Sequence, residues 1–160
     1  LLAGLGVAAG AFGAHGLEAR LKPGAQATEQ ERDLAGRRIH TFEVAVRYQM
    51  YHSLALVLVG LLALFARSAW LNAAGWLFLA GILLFSGLLY GWVLLQVRWM
   101  AMIVPLGGTA FILGWLALAA AGLLAGRQGS PASRAIDEAP LRASLAREPL
   151  AERREPSLKR

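Results

Sequence analysis

Between Tyr48 and Gly126 only two residues, Arg67 and Arg98, carry a full charge. They divide this stretch into three apolar runs, 48–66, 68–97 and 99–126, each close to or beyond the roughly 20 residues a membrane-crossing helix needs. Hydrophobic residues make up 57% of the chain, above the roughly 45–50% of ordinary soluble domains. Runs this long and this free of charge mark membrane spans rather than a soluble core.

Residues 1–17 form a shorter apolar run, which begins at Leu1 without an initiator Met and is read as a first span whose opening residues lie upstream. The rival reading is a signal peptide, because Ala9-Gly10-Ala11 fits a small-x-small cleavage pattern. No basic residue is visible between Leu1 and Ala14, and the apolar run passes straight through the supposed exit, so the helix reading is adopted. Its glycines include Gly6-x-x-x-Gly10, a spacing that lets a second helix approach closely in a membrane. The expected fold is therefore all-α: a four-helix transmembrane bundle over 1–126, with spans at about 1–17, 48–66, 72–97 and 99–126.

The connections and tail hold most of the charge. Pro23-Gly24 signals a turn, after which Ile39, Phe42 and Val46 recur at helical spacing among Arg38, Glu43 and Arg47. Residues 34–47 read as an amphipathic lead-in to the second span, or equally as a soluble extension of the same helix. Trp70 and Trp76 suit one membrane interface, Trp92 and Trp99 the other. Gly87-x-x-x-Gly91 repeats the close-packing spacing, and Arg98 marks a tight third connection. Pro105 and Gly107-Gly108 are expected to break the fourth span, which neighbours or water must then satisfy. The tail, 127–160, is charged and interrupted by prolines, so disorder is expected, with short surface helices around Leu141–Leu145.

Several function classes drop out. The chain has no cysteine, which removes disulfides, thiolate metal sites and thiol catalysis. The net charge of +6 lies in segments also rich in acids, with no basic face interleaved with aromatics, so nucleic acid is not expected as a partner. No glycine-rich phosphate loop, nucleophile elbow or paired carboxylates occur, so no enzyme, catalytic residue, cofactor or metal site is assigned. Haem between His15 and His52, or zinc among His15, His40 and His52, is conceivable but has no supporting ligand pattern.

The unusual polar residues converge. With four spans, the first and third connections share one membrane face. His15 ends the first span near that face, and Tyr48, Gln49 and His52 begin the second. Ser86 and Tyr90 approach it late in the third, and Pro105, Gly107 and Gly108 leave it early in the fourth. At about 1.5 Å per residue these groups lie on the order of 5–18 Å inside that face. Tyr48, Gln49 and His52 share one helix face by their i, i+3 and i, i+4 spacing. Two readings follow: an interhelical hydrogen-bond cluster that fixes packing, and a small pocket or vestibule opening on that face.

The order of motifs resembles the YgdD / transmembrane protein 256 family, also called domain of unknown function 423. The resemblance rests on Gly10-Ala11-Phe12-Gly13-Ala14-His15-Gly16-Leu17, on Phe42 with Tyr48-Gln49-Met50-Tyr51-His52, and on the run Ala74 to Gly87 with Tyr90. It closes with Pro105-Leu106-Gly107-Gly108, Phe111 and Gly114-Trp115, and so covers about 1–126. Val104 stands where the pattern usually has Thr, and the 18–47 connection is longer and more charged than usual. The resemblance implies a small multi-pass protein, in bacteria of the inner membrane, and implies no activity.

The resulting expectation is a structural or accessory module, or one that binds a small ligand or lipid, with a polar cluster in one leaflet half. The alternative is a small oligomeric transporter or channel. Its partners are the lipid bilayer and a homo-oligomer or membrane-protein partner. The termini are placed on the cytoplasmic side, following the resemblance and the basic tail.

Overall fold

A computed structural model of the chain describes residues 1–127 and 139–140. Four helices account for nearly all of them: α1 (residues 2–21), α2 (Glu29–Phe65), α3 (Ala69–Leu95) and α4 (Arg98–Arg127). The chain divides into Leu1–Gly122, which holds the bundle, and Leu123–Arg160, of which the described residues are the last turn of α4 and the helical pair 139–140. The expected disorder of the remaining tail and the helices around Leu141–Leu145 lie outside the described residues.

Three helices, α2, α3 and α4, are long and apolar enough to cross a membrane. Helix α1 is not among them, because glycine, His15, Glu18 and Arg20 dilute its apolar content. It packs instead as the fourth member of the bundle, antiparallel to α2. Gly6 lies over Met50, Gly10 over Val46 and Gly13 over Phe42; a Cβ at these positions would stand 2.7 Å from Met50 Sδ, 3.4 Å from Val46 Cγ1 and 2.9 Å from Phe42 Cδ1. The Gly6-x-x-x-Gly10 stripe is thus a backbone groove that α2 side chains fill, which is how close approach is gained where lipid tails offer no hydrophobic drive.

The amphipathic lead-in and the second span are one 37-residue helix. It starts at Thr28, whose hydroxyl accepts from the Glu31 N–H while the Glu31 carboxylate accepts from the Thr28 N–H at 2.9 Å, a reciprocal capping box. These bonds hold the exposed Glu31 carboxyl below its usual range, outside the apolar part of the helix. The third connection is residues 96–97, where Gln96 takes a left-handed conformation (φ 59°) and reverses the chain within two residues.

Helices α3 and α4 interlock through glycine. Phe111 of α4 sits against Gly81 of α3, Phe78 of α3 sits 2.7 Å from a Cβ built on Gly114 of α4, and Gly91 faces Met100 Sδ. A Cβ on Gly107 would run into the backbone of Phe85 and Leu84. The Pro105–Gly108 segment is therefore not a break: α4 is continuous through Pro105, and Gly107 lets α3 press against it. One lost backbone bond at a proline does not stop a helix whose flanking turns are held by a neighbour. Gly87-x-x-x-Gly91 also differs from expectation, since Gly91 meets α4 while Gly87 meets only the carbonyl of Ile82 on its own helix.

The core has two buried clusters: Ala55, Val59, Ala74, Phe78, Ile82, Phe111 and Ala117 form one, and Leu17, Phe42 and Val93 the other. Leu54, Leu58, Leu61, Leu83, Ile112 and Leu116 are exposed, as side chains facing lipid are.

Two expectations follow. Gly107→Ala lowers stability in detergent by about 1–3 kcal/mol through overpacking, read by thermal unfolding. Gly60→Ala, where nothing lies within 4 Å, serves as the near-neutral control. A carboxyl whose folded pKa is lowered stabilises the fold above its unfolded value and stops doing so as pH falls through the folded one. Acidification should accordingly speed hydrogen exchange in the first turn of α2, and Glu31→Gln should remove that acid step.

Candidate functional site

Two polar residues one turn apart on α2, Gln49 and His52, are buried at 6% and 5% exposure and reach all three other helices. The Gln49 amide donates through Nε2 to the Leu2 carbonyl of α1 at 2.8 Å. Its Oε1 accepts from the Tyr90 hydroxyl of α3 at 2.9 Å. Gly6 lies at this point, and a Cβ there would crowd Met50 and come into contact with Gln49 Nε2.

His52 ties in α4. The Trp115 indole N–H donates to His52 Nε2 at 3.2 Å. Indole nitrogen is a donor only, so Nε2 accepts, and the ring proton of the neutral imidazole sits on Nδ1. From there it is donated to the Tyr48 carbonyl at 2.8 Å. The imidazole stacks on Phe111 with centroids 3.4 Å apart and planes 9° from parallel. Phe78 meets the Trp115 ring edge-on at 5.1 Å, fixing the indole that supplies the donor.

The other expected site residues separate into three groups. Ser86 is fully buried within a π-helical segment, Ile82–Gly87, and its hydroxyl has no partner among the described residues, as is true of the buried Ser53. Ser53 follows Gln49 by one turn and Ser86 precedes Tyr90 by one turn on an antiparallel helix, so both hydroxyls lie one turn beyond the Gln49–Tyr90 bond. Tyr48 is a rim residue, 39% exposed, whose ring packs 4.7 Å from Phe85 while its carbonyl serves His52. Gly107 and Gly108 approach Phe85 rather than the polar cluster, and Pro105 is exposed.

His15 is not part of the cluster. Gly13 and Leu17, one turn apart, are the buried positions of its π-helical segment, Phe12–Leu17. His15 lies between them in sequence and so points to the opposite side. It is exposed, in a shallow cleft with Glu18, Lys22 and Ile39. Among the described residues no group of three His, Cys, Asp or Glu side chains is placed to hold a metal.

Sequence reasoning missed three participants in the cluster, Trp115, Phe111 and the Leu2 carbonyl, and one bond outside it, made by Arg38. Trp115 and Phe111 share a face at i, i+4, and a tryptophan deep in a span must find an acceptor for its N–H; that requirement was the available signal. The Leu2 carbonyl carries no side-chain signal. Arg38 donates through Nη2 to the Val93 carbonyl at 2.6 Å, at the last turn of α3, where a cation meets the negative end of the helix dipole.

Gln49→Leu should orphan Tyr90 and cost about 1–3 kcal/mol, read by thermal unfolding in detergent. Trp115→Phe should leave the fold intact while shifting the His52 Nε2 nitrogen NMR resonance, since that atom loses its donor.

The profile of the DUF423 family, described as a protein of unknown function, matches residues 9–108. A UPF0382 membrane protein of Staphylococcus epidermidis is 43% identical over 119 residues, 74% of this chain and 86% of its own length. Another from Staphylococcus haemolyticus is 41% identical over 114 residues, 71% of this chain and 82% of that protein. A third, from a bovine strain of Staphylococcus aureus, is 40% identical over the same length. No solved structure gives a significant match. The matched residues include Gln49, His52, Ser86 and Tyr90, and this chain belongs to the DUF423 family, a family of membrane proteins of uncharacterised activity.

Proposed function

We propose that the protein is a non-catalytic structural or accessory module of the bacterial plasma (inner) membrane, and that the buried polar cluster is its packing lock. The observation that carries this reading is the use of the cluster's hydrogen bonds. Gln49 spends its amide on Leu2 and Tyr90, and both ring nitrogens of His52 are engaged by Trp115 and Tyr48. A substrate site presents free donors and acceptors to a ligand, whereas these side chains present theirs to one another. No Asp or Glu occurs between residues 44 and 126, which leaves a proton-coupled carrier without its usual carboxylate. The exposed leucines of α2, α3 and α4, with Ile112, suit the lipid bilayer, a second copy of the chain or another membrane protein, and nucleic acid is not among the proposed partners.

One observation favours a second reading, a small oligomeric transporter or channel. The buried Ser53 and Ser86 hydroxyls have no partner among the described residues, and a small polar ligand or water file would supply one. Cytoplasmic termini are part of the same proposal, supported by the basic tail.

Reconstitution separates the two readings. Proteoliposomes of the wild-type chain should pass ions and small polar solutes no faster than empty vesicles. Solute-dependent flux that disappears in His52→Ala would remove the lock reading in favour of transport.

A further inference from the structure

At the end of α3 and the start of α2 the fold builds a second feature, separate from the polar cluster. The last turn of α1, the 22–28 connection and the first turns of α2 enclose a cleft of about 800 Å³ against Trp92 and Gln96. Arg20, Arg37 and Arg38 line it, and Leu21, Leu34 and Trp92 supply an apolar wall. The single carboxylate in the lining, Glu31, is already held by the N–H and hydroxyl of Thr28 at 2.9 and 3.0 Å.

The guanidinium groups are only partly engaged. Arg37 meets Asp33 through Nε alone, leaving the two terminal nitrogens of its fork. Arg20 lies over the Phe12 ring at 5.7 Å, and among the described residues it has no carboxylate partner. Arg38 gives Nη2 to the Val93 carbonyl, and its Nε is buried with no acceptor among the described residues. A buried guanidinium N–H without an acceptor is costly, and forked donors match the paired oxygens of a phosphate, as they do those of a carboxylate.

Position identifies the source of the anion. Val93, which Arg38 bonds, and Trp92 both belong to the final turn of a helix long enough to span the membrane, so the cleft lies at the level where spans meet headgroups. A basic floor beside a tryptophan and leucines suits a molecule with a phosphate at one end and hydrocarbon at the other. We infer that this cleft binds the phosphate of an anionic phospholipid headgroup, with Arg20, Arg37 and Arg38 as its ligands.

The experiment uses the full chain, delipidated in detergent, followed by native mass spectrometry during titration with phosphatidylglycerol, phosphatidylcholine and inorganic phosphate in turn. Phosphatidylglycerol should be retained roughly 30–150-fold more tightly than phosphatidylcholine, in line with the attraction two or three surface arginines exert on anionic lipid. Arg20→Gln/Arg37→Gln, which leaves the Arg38–Val93 bond in place, should erase that preference with unchanged helicity. Arg67→Gln, at the opposite end of the bundle, should keep it. Equal retention of the two lipids by the wild type, or a preference that survives the double substitution, overturns the inference. Saturation by inorganic phosphate without preference between lipids overturns the lipid source.

Discussion

The bundle depends on one turn of α2. Within it, Gln49 reaches α1 and α3, and His52 reaches α4, so each neighbouring helix is hydrogen-bonded to the same short segment. In hydrocarbon, helices gain nothing from hiding leucine from leucine, and association rests on van der Waals fit and on polar bonds between helices. A polar side chain there must bond within the protein or remain costly. Placing Gln49 and His52 at i, i+3 on one helix turns that cost into a constraint on register. A sliding or rotated α1, α3 or α4 would leave a buried donor or acceptor unpaired.

Close packing carries the constraint along the helices. Residue numbers in contact between α3 and α4 have nearly constant sums: Gly81 with Phe111, Phe78 with Gly114, Phe85 with Gly107. This is one antiparallel register in which each helix inserts aromatic rings into the other's glycine positions. Phe111 and Phe78 then surround His52, so the packing that sets the register also orients the imidazole toward Trp115. The polar cluster and the glycine–aromatic seam are one device seen from two sides.

Much of this was legible in the residues. Two lone arginines punctuate an otherwise uncharged stretch, and the turns fall beside them, at 66–68 and 96–97. A glutamine, a histidine and a tyrosine in apolar runs at matching depth have few options but to meet, and Gln49 and Tyr90 do. Depth along a helix does not give angle around it, however. His15 lies at a compatible depth and points away, because only the phase set by Gly13 and Leu17 against α2 decides its direction. Proline chemistry suggested a break in α4 that contact with α3 overrides at Gly107. The Trp115 bond was hidden for a related reason: tryptophans in membrane chains usually mark interfaces, and this one, itself exposed, lies mid-span and donates to a buried histidine. The Arg38–Val93 bond joins positions 55 apart and leaves no local trace.

The central claim is that Gln49 couples helices energetically rather than merely touching them. A double-mutant cycle of Gln49→Leu and Tyr90→Phe, measured by reversible unfolding in a bilayer mimic, tests it directly. A favourable coupling energy of roughly 0.5–1.5 kcal/mol is expected, the range of interhelical hydrogen bonds in membranes. Additive effects of the two substitutions, with no coupling, would contradict the account.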